Sequence, residues 1–157
     1  MQTLKLDDNT ARKLYPKAIP EFKTILEQSW PAGFFTQKIT ERVKTFDDIL
    51  AISGRTMASL INPDDRPDDI ARKQIELIAE VYNEGDQLDP LNTKQIKYYP
   101  WFEITPGSGF GLSYGDFDGW ISGSHVGARL CFKNSSLAID AGKKFIEIYA
   151  TYYQTKK

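Results

Sequence analysis

Cysteine and histidine are almost absent from the sequence. Cys131 is the only cysteine and His125 the only histidine among 157 residues. A single cysteine cannot form an intramolecular disulfide or supply a cysteine-based zinc cage, and an unpaired thiol is typical of the reducing cytosol. A serine–histidine–aspartate triad could use no histidine other than His125.

The sequence also lacks an excess of charge of either sign. Twenty basic residues stand against 21 acidic ones, so the net charge is −1. This balance gives no strong field for steering phosphates and disfavours tight non-specific binding of nucleic acid. No apolar run approaches the length of a membrane span, and Asp7 and Asp8 stand where a signal peptide needs an apolar segment. We therefore predict no membrane association and a cytoplasmic location.

The length and composition predict one α+β domain, residues 1–157. A hydrophobic fraction of 41% and a charged fraction of 26% are ordinary for a globular protein. Surface scaling predicts burial of about 70% of the unfolded surface, which is enough for one core. We expect residues 1–85 to be mostly helical. Residues 96–157 are expected to form a three-stranded antiparallel β-meander and a C-terminal helix packed on the sheet.

Capping patterns predict the helices of the first part. Thr45 to Asp48 has the form of a capping box, and Ser53-Gly54 ends the short helix that it opens. The acidic stretch from Asn62 to Asp69 is better explained by capping of the next helix than by metal binding. That helix is predicted from about Asp68 to Asn83, with Gly85 as its C′ residue.

The C-terminal third is rich in aromatic residues and glycines. Nine of the 20 aromatic residues lie between residues 96 and 132, which favours strands because aromatic side chains suit a half-buried pleated surface. The predicted strands are Lys97–Thr105, Gly109–Tyr114 and His125–Lys133. Residues 115–124 are predicted to form a loop that carries an exposed Trp120. An apolar stripe after Asn134 predicts the final helix: Leu137, Ala141, Phe145, Ile148 and Tyr152.

Alternation along the strands separates two faces of the predicted sheet. One face is apolar. The other carries the candidate binding residues, to which the loop adds Trp120: Lys97, Tyr99, Trp101, His125 and Arg129. Either the N-terminal helices cover this second face, or it is an open platform on which bases stack beside arginine and lysine. Pro100 cannot donate a ladder hydrogen bond and predicts an edge strand or a bulge, which would reverse the side chains beyond it.

No motif has the composition of a catalytic or metal site. His125 and Cys131 are six residues apart, or about 20 Å along a strand, which is too far for a thiol–imidazole pair. The segment 107–111 lacks the Lys-Ser/Thr of a phosphate-binding loop and is better explained as a hairpin turn. Asp116 begins like a calcium loop, but Trp120 and Gly127 occupy the fifth and twelfth positions, where oxygen ligands are needed. We expect neither a cofactor nor a metal.

Several segments together resemble a family of uncharacterised small proteins from Bacteroides-group bacteria, their phages and integrated elements. The resemblance covers most of the chain, and residues 86–92 depart from it because they contain no tryptophan. It implies an accessory role in a phage or mobile element and assigns no catalytic or binding residue. The segments that carry it are Lys44–Asp48, Asn83–Gly85, Lys97–Phe102, Gly109–Tyr114, Gly127–Lys133 and Ala141–Phe145.

These observations favour a non-enzymatic accessory protein that binds another macromolecule, with a protein as the expected partner. Exposed aromatic residues such as the predicted Trp120 are common interface anchors. The first alternative is binding of single-stranded nucleic acid through the Tyr99 and Arg129 face. The second is a small enzyme that acts through Asp116, Asp118 or His125.

Overall fold

The computed structural model describes residues 6–105, 109–120 and 127–153, with residues 104–105, 109–117 and 120 described by their backbone alone. The first half is helical, and the second half contains two strands followed by two helices, so the protein is α+β as predicted. The helices and strands are α1 (Asp8–Leu14), α2 (Pro20–Ser29), α3 (Ile39–Arg42), α4 (Phe46–Ser53), α5 (Met57–Leu60), α6 (Pro67–Tyr82), β1 (Lys97–Thr105), β2 (Gly109–Trp120), α7 (Ser135–Lys144) and α8 (Ile146–Tyr153). Short 3-10 helices lie at Tyr15–Lys17, Phe34–Thr36 and Ala128–Leu130.

Acidic side chains cap the helices of the first half, as the sequence predicts. Asp48 accepts hydrogen bonds from the backbone N–H groups of Lys44 (2.8 Å) and Thr45 (2.9 Å) at the start of α4. Asp69 accepts one from the backbone N–H of Arg66 (3.3 Å) at the start of α6. These bonds satisfy N–H groups that have no partner inside the helix. Of the acids between residues 62 and 69, Asp69 therefore caps α6, whereas Asp65 binds the N–H of Asn62 and Lys73, and Asp68 pairs with Arg66.

The end of α6 is a Schellman motif that includes a strained residue. Glu84, rather than Gly85, occupies the C′ position with φ 54°, and Gly85 follows with φ 85°. The N–H of Glu84 donates to the carbonyl of Val81 (3.0 Å), and that of Gly85 to Glu80 (3.3 Å). Non-glycine residues adopt this left-handed conformation at a cost in free energy.

The two strands form an antiparallel hairpin with an irregularity at Trp101. Lys97 pairs with Trp120 and Pro100 with Phe117, and pairing resumes at Phe102 and Leu112. The bulge predicted from Pro100 is confirmed. The predicted loop over residues 115–124 is wrong for residues 115–120, because these residues continue β2, and residues 117–120 pair with the first four residues of β1. Their glycines and acids are typical of loops, but ladder hydrogen bonds to β1 outweigh that local preference.

The predicted third strand, His125–Lys133, is not found in its described part. Residues 128–130 form a 3-10 helix, and only Phe132 makes a bridge to Tyr98. On the other side of this segment, Asn83 pairs with the backbone by accepting from the N–H of Lys133 and donating to the carbonyl of Cys131, both at 2.9 Å. The side chain of Asn83 thus occupies the edge of this segment that faces away from β1.

The final helix is divided at Phe145 into α7 and α8. α7 lies against β1 and β2, and α8 lies against α6, so the predicted packing of a C-terminal helix on the sheet is confirmed for α7. Of the predicted stripe, Leu137, Ala141 and Phe145 are buried. Helix α6 contributes six of its seven buried residues to a core that joins it to both halves of the chain. That the whole chain is one domain stays a prediction.

Candidate functional site

A cleft of about 530 Å³ lies along one side of α6. Its other walls are the chain after α6 (residues 85–88), the Ala128–Leu130 turn, and Arg55 and Leu60 from the region of α5. This volume is within the range of pockets that hold small ligands or a few side chains of a partner. The cleft is therefore the candidate functional site of the protein.

The floor of the cleft is apolar and its rim is charged. Leu77 of α6 is 1% exposed and forms the base together with the partly buried Leu60 and Leu88. Lys73, Glu76 and Glu80 line the cleft from the same helix because residues three and four apart share a helix face. An apolar floor with a few polar groups at its edge is the usual composition of a binding pocket.

Most charges at the rim are neutralised inside the chain. Glu80 pairs with Arg55 at 3.1 Å, and Lys73 pairs with Asp65 at 2.5 Å. The backbone N–H of Asn62 and the Lys73 ammonium lower the pKa of Asp65. Arg55 and Glu80 are each about half exposed, so their pair contributes little to stability and can exchange with a ligand.

Lys133 holds the chain that follows α6. Its ammonium donates to Asp86 at 2.7 Å and to the carbonyl of Asn83 at 3.2 Å. Asn83 is itself 4% exposed and bound to the backbone of residues 131–133. The wall formed by residues 85–88 is therefore fixed to the segment that carries the Ala128–Leu130 turn.

Arg129 differs from the other cations of the rim. It is exposed on the 3-10 turn and lines the cleft opposite α6. In the described ranges no hydrogen bond or ion pair engages its side chain. A guanidinium has five N–H donors in a planar arrangement that matches a carboxylate. Arg129 is therefore available to an external anion at the edge of the cleft.

The structure disperses the binding residues predicted from the sequence. Arg129 lies at the cleft. Lys97 is 0% exposed and donates to the carbonyls of Asn92 and Gln95, both at 2.9 Å, so it does not lie on an open face, and its role in binding stays a prediction. Burial is tolerated because carbonyl oxygens solvate the ammonium in place of water. The side chain of Trp120 and all of His125 lie outside the described residues.

Unlike Lys97, Tyr99 and Trp101 keep part of their surface exposed to solvent. The hydroxyl of Tyr99 donates to Asp118 at 2.6 Å, and burial, followed by that carboxylate, raises the pKa of Tyr99. Trp101 is 45% exposed at the irregularity between Pro100 and Phe102. The second face of the sheet is thus neither fully covered nor an open basic platform.

Sequence reasoning missed the α6 side of the cleft. Lys73, Glu76 and Glu80 recur at helical spacing beside Leu77. That pattern is also typical of an ordinary solvated face, so it does not single out a site. A cleft emerges only where the turn at residues 128–130 comes to lie opposite this face.

The lining of the cleft is chemically mixed. Its described lining combines leucines, ion-paired carboxylates and arginine, and no histidine or cysteine belongs to it. In residues 6–105, 109–120 and 127–153, no group of three or more His, Cys, Asp or Glu side chains could hold a metal ion. Of the helices in these same ranges, none combines the length and apolar character that crossing a bilayer requires. Comparisons with protein-family models, with curated proteins and with solved structures found no match to the chain.

Proposed function

We propose that the chain is a non-enzymatic binding module that receives a short segment of a partner protein in the cleft beside α6. The observation that carries this proposal is the combination of an apolar floor around Leu77 with the unengaged guanidinium of Arg129. The segment that fits has an apolar side chain for the floor and a carboxylate, from an acidic side chain or a C-terminus, for Arg129. The accessory role in a phage or mobile element and a cytoplasmic setting belong to the same proposal.

The charges of the cleft favour a peptide over a nucleic acid. Its lining carries three carboxylates and three cations, so it has no excess of positive charge to bind a phosphate backbone. The alternative platform on the sheet loses a cation because Lys97 is buried. Apolar burial contributes about 25 cal/mol per Å², so a single leucine-sized side chain in the cleft gives a modest affinity that the ion pair increases.

The proposal is tested by selecting, from a displayed library of short random peptides, those that bind the full chain. We expect the selected peptides to share an apolar residue next to an acidic residue or a free C-terminus. Arg129→Gln should weaken their binding about tenfold, since a hydrogen bond to a charged group contributes roughly 1.5–3 kcal/mol.

Arg66→Gln is the matched control. Arg66 is 71% exposed at the start of α6, does not line the cleft, and pairs with Asp68 and Asp69. Its substitution should leave peptide affinity unchanged. Failure to select any peptide, or equal affinity of the wild type and Arg129→Gln, would contradict the proposal.

A further inference from the structure

A second cleft, of about 440 Å³, lies between α1, the Phe34–Thr36 turn, α3 and α4. Two arginines line it: Arg12 from α1 and Arg42 from the end of α3. Like charges close together in a partly buried site repel each other unless anions separate them. The positions of the surrounding groups show how far that repulsion is relieved.

Arg12 is held in place from three directions. Its guanidinium donates to the carbonyl of Phe34 and to the side-chain oxygen of Gln37 (3.2 Å), and it lies 3.6 Å from the centre of the Phe34 ring. Two causes lower the pKa of Arg12: burial is the larger and the charge of Arg42 is the smaller. The nearby Asp8 opposes this shift. A cation that is fixed before a ligand arrives loses little entropy on binding.

Arg42 is poorly compensated for its burial. Its side chain is 14% exposed, and its closest carboxylate is Glu84, at 3.7 Å from a residue that is itself 52% exposed. No residue of the described segments accepts a hydrogen bond from this guanidinium. Burial lowers the pKa of Arg42, and Glu84 only partly opposes the shift. Its unpaired nitrogens are not among the fully enclosed side-chain atoms of the described residues, so solvent and an external anion can reach them.

Three carboxylates in the lining are engaged elsewhere. Asp48 accepts from the N–H groups that precede α4, and Glu41 accepts from the backbone N–H of Lys38 at 2.9 Å. Asp8 accepts from the indole N–H of Trp30 at 2.9 Å. Their charges still disfavour a dianion, so a singly charged group is the better complement to the two guanidiniums.

We propose that this second cleft binds a carboxylate-bearing ligand between Arg12 and Arg42, and that the ligand takes the place of Glu84 at Arg42. Glu84 adopts a left-handed backbone conformation and approaches Arg42 without a hydrogen bond, so an external carboxylate can compete with it. Ala51 and Ile52 line the remaining space and suit a short apolar body next to the carboxylate. The site is independent of Arg129 and of the peptide cleft.

A titration of the full chain with sodium butyrate, followed through the arginine Nε–Hε signals, tests the inference. Sodium chloride at equal ionic strength corrects for screening. We expect saturable shifts of the Arg12 and Arg42 signals, and about tenfold weaker binding in Arg42→Gln. Glu84→Gln should strengthen binding several-fold because it removes the competing charge.

A control variant separates butyrate binding in the second cleft from binding elsewhere on the surface. Arg66→Gln should leave the butyrate-induced shifts of the Arg12 and Arg42 signals as in the wild type. Because these two signals report on the second cleft alone, this test can pass or fail independently of the proposed peptide cleft. The inference is overturned if the shifts match those in chloride or if Arg42→Gln binds normally. It is also overturned if inorganic phosphate binds more tightly than butyrate, because that result assigns the site to a dianion.

Discussion

The side-chain amide of Asn83 replaces a strand neighbour beside the segment of residues 131–133. It uses its N–H to bind the carbonyl of Cys131 and its oxygen to accept from the N–H of Lys133, and the residue is 4% exposed. The carbonyl of Cys131 lies at a buried position and the N–H of Lys133 at a partly buried one. The amide therefore connects the end of α6 to the strand-like segment that leads to α7.

Asn83→Ala should lower the free energy of unfolding by about 2–4 kcal/mol, because it leaves a buried donor and a buried acceptor without partners. Urea unfolding measures the change. Asn62→Ala, at an exposed position, should change stability by less than about 0.5 kcal/mol. Equal effects of the two substitutions would contradict the role assigned to Asn83.

Two buried tyrosines differ in whether the hydroxyl has a hydrogen-bond partner, so removal of the two hydroxyls should change stability in opposite directions. The hydroxyl of Tyr82 donates to Asp140 at 2.7 Å, whereas that of Tyr149 is buried without a hydrogen-bond partner in the described part of the chain. Burial raises the pKa of both groups. Tyr82→Phe should cost about 1.5–3 kcal/mol, and Tyr149→Phe should be neutral or stabilising by up to about 1 kcal/mol. Thermal unfolding of both variants distinguishes them, and a large loss for Tyr149→Phe would show that its hydroxyl is paired.

Asp48 makes the stability of α4 depend on pH. Hydrogen bonds from the backbone N–H groups of Lys44 and Thr45 lower the pKa of Asp48 below its ordinary value of 3.8. A lowered folded-state pKa means that the contribution is present above about pH 3.8 and is lost as the pH falls through the folded-state value. Asp48→Asn should therefore cost about 1 kcal/mol at pH 7, and its difference from the wild type should shrink in acid. Urea unfolding from pH 7 to pH 3 measures this difference, and a constant difference would contradict the assignment.

At the scale of elements, Lys144 joins α7 to the end of α3. Its ammonium donates to the carbonyls of Thr40 (2.6 Å) and Val43 (2.9 Å) and to Asp140 (2.7 Å). These contacts satisfy carbonyls that the short helix α3 cannot pair internally. They also fix the divided C-terminal helix to the N-terminal half of the chain.

Lys144→Met keeps the length of the side chain and removes its charge and donors. We expect a loss of about 2–4 kcal/mol, since Asp140 and the two carbonyls lose a partner in a partly buried position. Lys13→Met, at an exposed position of α1, serves as the control and should have little effect. Chemical denaturation measures the free energy of unfolding of both variants. Similar losses for the two variants would refute the anchoring role of Lys144.

Local rules predict the helices better than the sheet. The capping acids at Asp48 and Asp69 act within a few residues, so the sequence is enough to place them. The third strand fails because residues 128–130 form a 3-10 helix and only Phe132 pairs with β1. On the other side of this segment the backbone of Lys133 binds the side chain of Asn83, 50 residues away, and no period of the sequence encodes that contact. The bulge at Trp101 follows from Pro100, whereas the extension of β2 to Trp120 depends on pairing with β1.

The candidate site could be predicted only in part, for a related reason. The sequence identifies Arg129 as a candidate binding cation, and the structure places it at the cleft on a 3-10 turn instead of on the face of a strand. Lys97 has the same signature in the sequence, yet it is buried against carbonyls of the chain before β1. Exposure distinguishes the two residues, and exposure depends on contacts distant in the sequence.

At the scale of the whole molecule, the end of α6 connects two clefts, each of which is lined by arginine. Glu84 faces Arg42 of the second cleft and lies 3.9 Å from Lys133, which in turn binds Asp86 at the wall of the first. The core that supports both clefts combines α3, α4 and α6 with Phe132, α7 and α8. Each cleft therefore has a fixed framework and an arginine whose charge is not fully neutralised by carboxylates of the described residues.

The most direct test of the central proposal is to locate a selected peptide on the protein by the methyl signals of leucine. We predict that the signals of Leu60, Leu77 and Leu88 shift when the peptide binds, because these residues form the floor of the cleft. The same shifts should require about tenfold more peptide in Arg129→Gln. Binding that leaves these three signals unchanged, or that perturbs the region of Trp101 and Tyr153 instead, would contradict the account.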